Sequence, residues 1–206
     1  MGSNPTFDDV HARQVEAYVL DETDLDLYGH RVQILFTHRI RGMVAFEGID
    51  QSGKETQARL LGERLSSAGR TVLTVSFPDY ATPIGSELRR ALHGERDYGP
   101  DVIQLLMIAN RYEWKPAMTA ALDRGDVVIA DRYLASSVAY GEAQGLDPDW
   151  LFEAQRHLPQ PDLTVMIDIA PATAVARKQA GRDRFEQDLP CLLYTSDAAD
   201  DLPWVD

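Results

Sequence analysis

A single cysteine, Cys191, stands in the 206-residue chain. One thiol closes no internal disulfide and builds no multi-cysteine metal site. The five histidines are scattered, without metal-ligand spacing. No apolar run approaches the roughly 20 residues that a membrane-spanning helix needs. The N-terminus lacks the charged-then-apolar order of a secretory signal. Positive charge is scarce as well: 20 Lys and Arg stand against 33 Asp and Glu, for a net charge of −13. That balance argues against a nucleic-acid partner and requires any anion site to be a local cluster. A soluble, cytoplasmic protein without a membrane partner is the expectation. The length suits one domain, or one domain plus a fragment.

What is present is concentrated in Val44 to Gln57, V-A-F-E-G-I-D-Q-S-G-K-E-T-Q. Val44-Ala45-Phe46 reads as a buried strand, Gly48 to Lys54 as a glycine-spaced turn, and Thr56 to Leu65 as a helix. Strand, glycine loop and helix form the context of a phosphate-cradling P-loop. Gly48 and Gly53 permit dihedrals that other residues resist, so successive N–H groups can converge on an anion at a helix start. Asp50, Gln51 and Ser52 complete the loop, and Lys54 would reach the terminal phosphates. The usual pattern places Ser or Thr directly after the lysine to meet Mg²⁺. Glu55 stands there instead, followed by Thr56. A carboxylate is a hard oxygen ligand and suits the first turn of a helix, so Glu55 and Thr56 are metal candidates. A glycine-rich turn that binds nothing is the alternative.

From residue 43 to 189, strand and helix patterns alternate, which argues α/β architecture with a parallel sheet. Thr71 to Val75, Val127 to Ala130 and Leu163 to Ile169 read as strands. Asp101 to Lys115 reads as a helix, capped by Asp101 and broken or kinked by Pro116. The run V-V-I-A-D-R-Y puts Asp131 and Arg132 at the end of a buried strand, where ligands sit in open α/β sheets. There Asp131 could hold water or Mg²⁺ and Arg132 could grip phosphate. A helix-capping Asp beside a surface Arg is the plainer reading. Arg111, on the long helix, follows an apolar run and needs an anion. A bound phosphate, or a salt bridge to Glu113 or Glu87, would supply it. Phe77, before Pro78, could stack on a base, although alone it reads as an ordinary core residue. Ala176 to Glu186 holds the dense basic cluster of the chain, with Gly181 between arginines. It suits a lid that brings positive charge to a transferring phosphoryl group, or else a solvated helix face.

These elements, in this order, resemble thymidylate kinase over residues 43–189. The motifs are F-E-G-I-D-x-S-G-K, F-P-D-Y-x-T-P-I-G, A-N-R-Y-E-W, D-R-Y-x-x-S-S-x-A-Y, P-D-L-T and R-D-R-F-E. The resemblance implies a P-loop NTPase-type three-layer fold and transfer of phosphate from ATP to dTMP with Mg²⁺. It allows a homodimer. By resemblance, Lys54 and the loop amides hold the ATP phosphates and Asp50 contacts the sugar 3′-hydroxyl of dTMP. Phe77 shapes the thymine pocket, Arg111 and Arg132 clamp the acceptor phosphate, and Tyr140 crowds the 2′ position. Because Gln51 occupies the loop position of a catalytic arginine, Arg182 or Arg184 should provide that charge. Tyr80 and Met107 stand where relatives carry an arginine and an aromatic. The same fold with another acceptor, or an inactive nucleotide-binding fragment, are the alternatives.

The two ends differ in character. Residues 1–42 are β-rich and resemble the C-terminal part of riboflavin kinase through Asn4-Pro5-Thr6-Phe7, Val15-Glu16-Ala17, Asp26-Leu27-Tyr28-Gly29, Leu35-Phe36 and Arg41-Gly42. Glu16 matches that family's activating carboxylate, but its nucleotide motif is lacking, so no activity is expected from this fragment. Residues 190–206 are acidic, and Cys191 to Asp200 resembles a translated sequencing-adapter tail. The expectation is a P-loop domain truncated at its C-terminal end, with no function in the tail.

Overall fold

The computed structural model describes residues 42–167 together with Ile169, Thr173 and Ala174. Glu16, Arg182 and Arg184 lie outside them. Four strands, β1 (Met43–Glu47), β2 (Val72–Ser76), β3 (Val127–Asp131) and β4 (Leu163–Met166), form one sheet in the order β2-β3-β1-β4. All three pairings are parallel. β1 and β3 are continuous apolar runs, and their apolar residues are fully buried, as parallel strands covered on both faces require. The α/β parallel architecture expected from the sequence is the one observed.

Five helices connect the strands: α1 (Lys54–Ser67), α2 (Pro83–Leu92), α3 (Pro100–Asp123), α4 (Leu134–Glu142) and α5 (Pro148–Gln155). The main core joins sheet residues Met43, Ala45, Val75, Val128 and Ala130 to Met118 and Ala121 of α3 and to Phe77, Tyr133 and Leu158. Each large apolar side chain buried this way contributes about 1.5–3 kcal/mol.

Two details of α3 depart from the sequence reading. The cap of α3 is Gly99, with Pro100 at the first helical position, and Asp101 lies inside the first turn. Proline suits that position because its missing N–H would be unpaired there anyway. Pro116 does not end the helix, which runs on to Asp123. Pro116 is exposed, whereas Arg111 before it and Met118 and Ala121 after it are buried. Packing on both sides outweighs the hydrogen bond that proline removes.

Chain order alone places the site. From β1 the chain passes to β2, two positions away, and β4 later pairs on the other side of β1. The crevice at such a switch point opens at the carboxyl ends of the strands. Glu47 ends β1 there and Asp131 ends β3.

Candidate active site

The loop after β1 owes its path to two glycines. Gly48 has φ 135°, and a Cβ there would lie 2.4 Å from the carbonyl oxygen of Ile167. Gly53 has φ 101° and caps α1 without any side-chain hydrogen bond to the helix amides. The first N–H groups of a helix have no intrahelical partner, so this helix start can receive an anion. Gln51 is also left-handed, at φ 63°. Ser52 is buried, whereas Gln51, Glu55 and Thr56 are exposed.

Lys54 turns back over the loop. Its Nζ donates to the Ile49 carbonyl at 2.6 Å and to Ser52 Oγ at 3.4 Å. Burial, helped by the nearby Arg132 charge, lowers its pKa to about 7. The cost of burying the charge is therefore fully present below about pH 7 and is relieved as pH rises toward the unfolded value. A phosphate beside Nζ reverses the shift, because an opposite charge favours the ammonium form. ATP binding at pH 8 is thus expected to take up about one proton, and affinity should weaken by up to about tenfold per pH unit above 7. Calorimetry in buffers of different ionisation enthalpy reads the proton. No uptake, or the same uptake in Lys54→Met, would contradict the assignment.

Across the crevice, Arg132 adopts a left-handed backbone, φ 61°. Its Nη2 donates to Asp50 Oδ1 at 3.1 Å, and its Nη1 to the Gly48 carbonyl at 3.3 Å and Tyr140 Oη at 3.5 Å. The guanidinium carbon lies 5.6 Å from the Tyr140 ring centroid. Burial opposes the charge, but Tyr140, Asp50, Glu47 and Asp131 together keep the group firmly protonated. Arg132 is therefore no surface arginine. Asp131 does not cap the next helix either. Its Oδ2 accepts from Ser76 Oγ at 3.4 Å, while its buried Oδ1 has no partner among the described residues. Burial raises its pKa, and Lys54 and Arg132 oppose the rise.

Arg111 is 3% exposed. Its Nη1 donates to Ser137 Oγ at 2.5 Å, to the Met107 carbonyl at 3.4 Å and to Gln155 Oε1 at 3.5 Å. Its Nε has no partner among the described residues. Burial lowers its pKa to about 10, which leaves it cationic at neutral pH. The salt bridge considered from the sequence does not form. Glu113 accepts instead from Thr82, Ile84 and Asn110, and Glu87 from Arg90, Arg96 and Tyr98. The Arg111 guanidinium lies 5.8 Å from the Phe77 ring centroid.

Phe77 follows β2 and packs against Tyr133, so it is a core residue as its plainer reading holds. The Phe77-Pro78 peptide is cis. Asn110, unassigned from the sequence, clamps the loop beyond. Its Oδ1 accepts from Asp79 N–H at 2.8 Å, and its Nδ2 donates to the Asp79 carbonyl, Thr82 Oγ1 and Glu113 Oε2. Trp114 Nε1 donates to Asp79 Oδ2 at 2.9 Å.

Glycine loop, lysine, strand-end Asp-Arg pair and buried Arg111 thus stand at one end of one sheet. Comparison with known proteins gives the family. A family model described as thymidylate kinase matches residues 46–192. The chain belongs to the thymidylate kinase family. It is 36% identical to the thymidylate kinase of Schizosaccharomyces pombe over 145 residues, covering 70% of this chain and 69% of that one. It is 34% identical to the human enzyme, with 70% and 68% covered. The structure of thymidylate kinase from Candida albicans aligns with TM-score 0.66 and 31% identity, over 77% of this chain and 76% of that one. The fold is thus the P-loop NTPase fold of thymidylate kinases. A riboflavin kinase model matches residues 1–57 and so shares 46–57 with the thymidylate kinase match. No helix among the described residues is long and apolar enough to cross a membrane.

Ser137 and Glu47, like Asn110, were missed as site residues by sequence reasoning. Each sits inside a quoted motif, but a serine, an asparagine or a glutamate has no spacing rule that announces its partner. Only the fold brings Ser137 to Arg111 and Glu47 to the turn after β3.

Proposed function

We propose that this chain transfers the terminal phosphoryl group of ATP to dTMP, giving dTDP and ADP. The supporting observation is the Arg132 guanidinium held on Gly48 and Asp50 of the P-loop, across from Lys54. One oxygen of the acceptor phosphate attacks the γ-phosphorus of ATP. The bond to the β,γ-bridging oxygen breaks and its electrons leave with ADP. Such transfer asks for positioning and charge neutralisation more than for covalent help from the protein.

In this reading Lys54 and the amides from Gly48 to Thr56 hold the ATP phosphates. Asp50 meets the sugar of dTMP, Phe77 borders its base, Tyr140 excludes a 2′-hydroxyl, and Arg111 and Arg132 hold the acceptor phosphate. Arg182 or Arg184 would add positive charge to the transferring phosphoryl group. The orphaned Oδ1 of Asp131 fits a hard cation, so Asp131, Glu55 and Thr56 would hold Mg²⁺. When bound, Mg²⁺ neutralises charge on the ATP phosphates.

Turnover with ATP and dTMP, dUMP, dCMP or thymidine tests the reading. The expected result is dTDP formed from dTMP, with kcat/KM at least about tenfold above the other acceptors. Preference for another acceptor would leave a kinase of the same fold. Calorimetric binding of ATP and dTMP without any turnover would leave an inactive nucleotide-binding fragment.

A further inference from the structure

We infer that Glu47 is a positioning residue, a buried carboxylate on β1 that holds the β3–α4 turn so that Arg132 faces the P-loop. Glu47 is 2% exposed and immediately precedes Gly48. Its Oε1 accepts from the Tyr133 N–H at 2.9 Å and the Ser136 N–H at 3.4 Å, and its Oε2 from Ser136 Oγ at 2.6 Å. Tyr133 is the cap residue of α4 and provides no side-chain cap of its own. The helix start is therefore capped by a side chain reaching over from a different strand. A carboxylate suits that place, because two unpaired amides and the helix dipole all favour negative charge.

The consequence falls on Arg132. A left-handed backbone at a non-glycine residue is disfavoured and persists only where its surroundings determine it from both sides. On one side, β3 pairs Asp131 with Phe46, and the Arg132 N–H donates to the Phe46 carbonyl at 2.9 Å. On the other side, Glu47 holds the Tyr133 N–H, while the Tyr133 ring packs in the core and its hydroxyl donates to the Pro159 carbonyl. Strand β1 thus fixes both flanks of Arg132, while the residues that follow β1, Gly48 and Asp50, receive its guanidinium. Loop and arginine are thus tied to the same strand. The Glu47 charge also helps keep Arg132 and the buried Arg111 protonated.

The effect on substrate rests on the function proposed above, but the geometry can be read without it. The full chain is compared with E47A, E47Q and S136A by ¹⁵N-correlated spectra of the arginine Nε–Hε groups. The Arg132 signal is identified by its loss in R132K. E47A is expected to move that signal to the position of free arginine and to weaken dTMP binding by about tenfold or more. E47Q keeps an acceptor for the two amides and should restore the signal, with dTMP binding within about threefold of wild type. S136A, which removes one of three donors, should shift the signal less than E47A. An unchanged Arg132 signal in E47A, or an E47Q as damaged as E47A, overturns the inference. Should E47A not fold, S136A decides by itself: an intermediate shift supports the role and no shift overturns it. If the Arg132 signal responds as expected while the wild type phosphorylates no dTMP, the proposed function fails and this positioning role stands.

Discussion

Lys54→Met is expected to lower turnover by about a thousandfold or more while leaving the fold as stable as the wild type, or more so. The two signs come from one environment. Lys54 is 5% exposed, and burial pulls its pKa to about 7. A cation held in such a place costs stability on the order of a few kcal/mol, since one pKa unit corresponds to about 1.4 kcal/mol. Methionine has a similar length and carries no charge, so it removes that cost. It also forfeits the bonds to Ile49 and Ser52, which are worth about 1–3 kcal/mol together. The same substitution takes away the ammonium group that would meet the transferring phosphate. Removing one preorganised charge-stabilising group typically costs 10²–10³ in rate, and more in phosphoryl transfer. Thermal melting at pH 7 beside a coupled ADP assay measures both. A variant that melts well below wild type, or keeps a tenth of the activity, would contradict the assignment.

Arg132→Lys is expected to lower kcat/KM for dTMP by about a hundredfold or more, with ATP affinity within about threefold of wild type. Lysine keeps the charge, yet it cannot reproduce a planar fork that reaches Gly48, Asp50 and Tyr140 from one guanidinium. That fork is preorganised to hold the acceptor phosphate in line with the γ-phosphorus. The loss should thus appear with the acceptor rather than with ATP. Steady-state kinetics with each substrate varied in turn separates the two. Equal losses for ATP and dTMP would place Arg132 on the wrong nucleotide.

Much of this site was legible in the sequence, and the physical reasons differ from residue to residue. The P-loop was readable because its glycines obey a backbone rule: at Gly48, φ 135° and the Ile167 carbonyl exclude any side chain. Asp131 and Arg132 were readable because a continuous apolar run fixes where a buried strand ends. Arg111 was recognisable as a buried cation in need of an anion, but its surroundings were not. Glu113 and Glu87 were the candidate salt-bridge partners, and the fold commits them to the α2 region instead. Glu47 was invisible as a positioning group, because its partners lie 86 and 89 residues away. The helix end expected at Lys115 misled for a related reason. A local helix-breaking rule was overridden by tertiary packing, here by Met118 and Ala121 in the main core.

The most direct test is a crystal structure of the full chain with dTMP and a non-hydrolysable ATP analogue. The expected result places the terminal phosphate of the analogue within hydrogen-bond distance of Lys54 Nζ. The dTMP phosphate should meet the Arg132 guanidinium, with its base beside Phe77 and Arg111. Nucleotides bound away from the loop after β1, or a dTMP phosphate that Arg132 does not touch, would contradict the account.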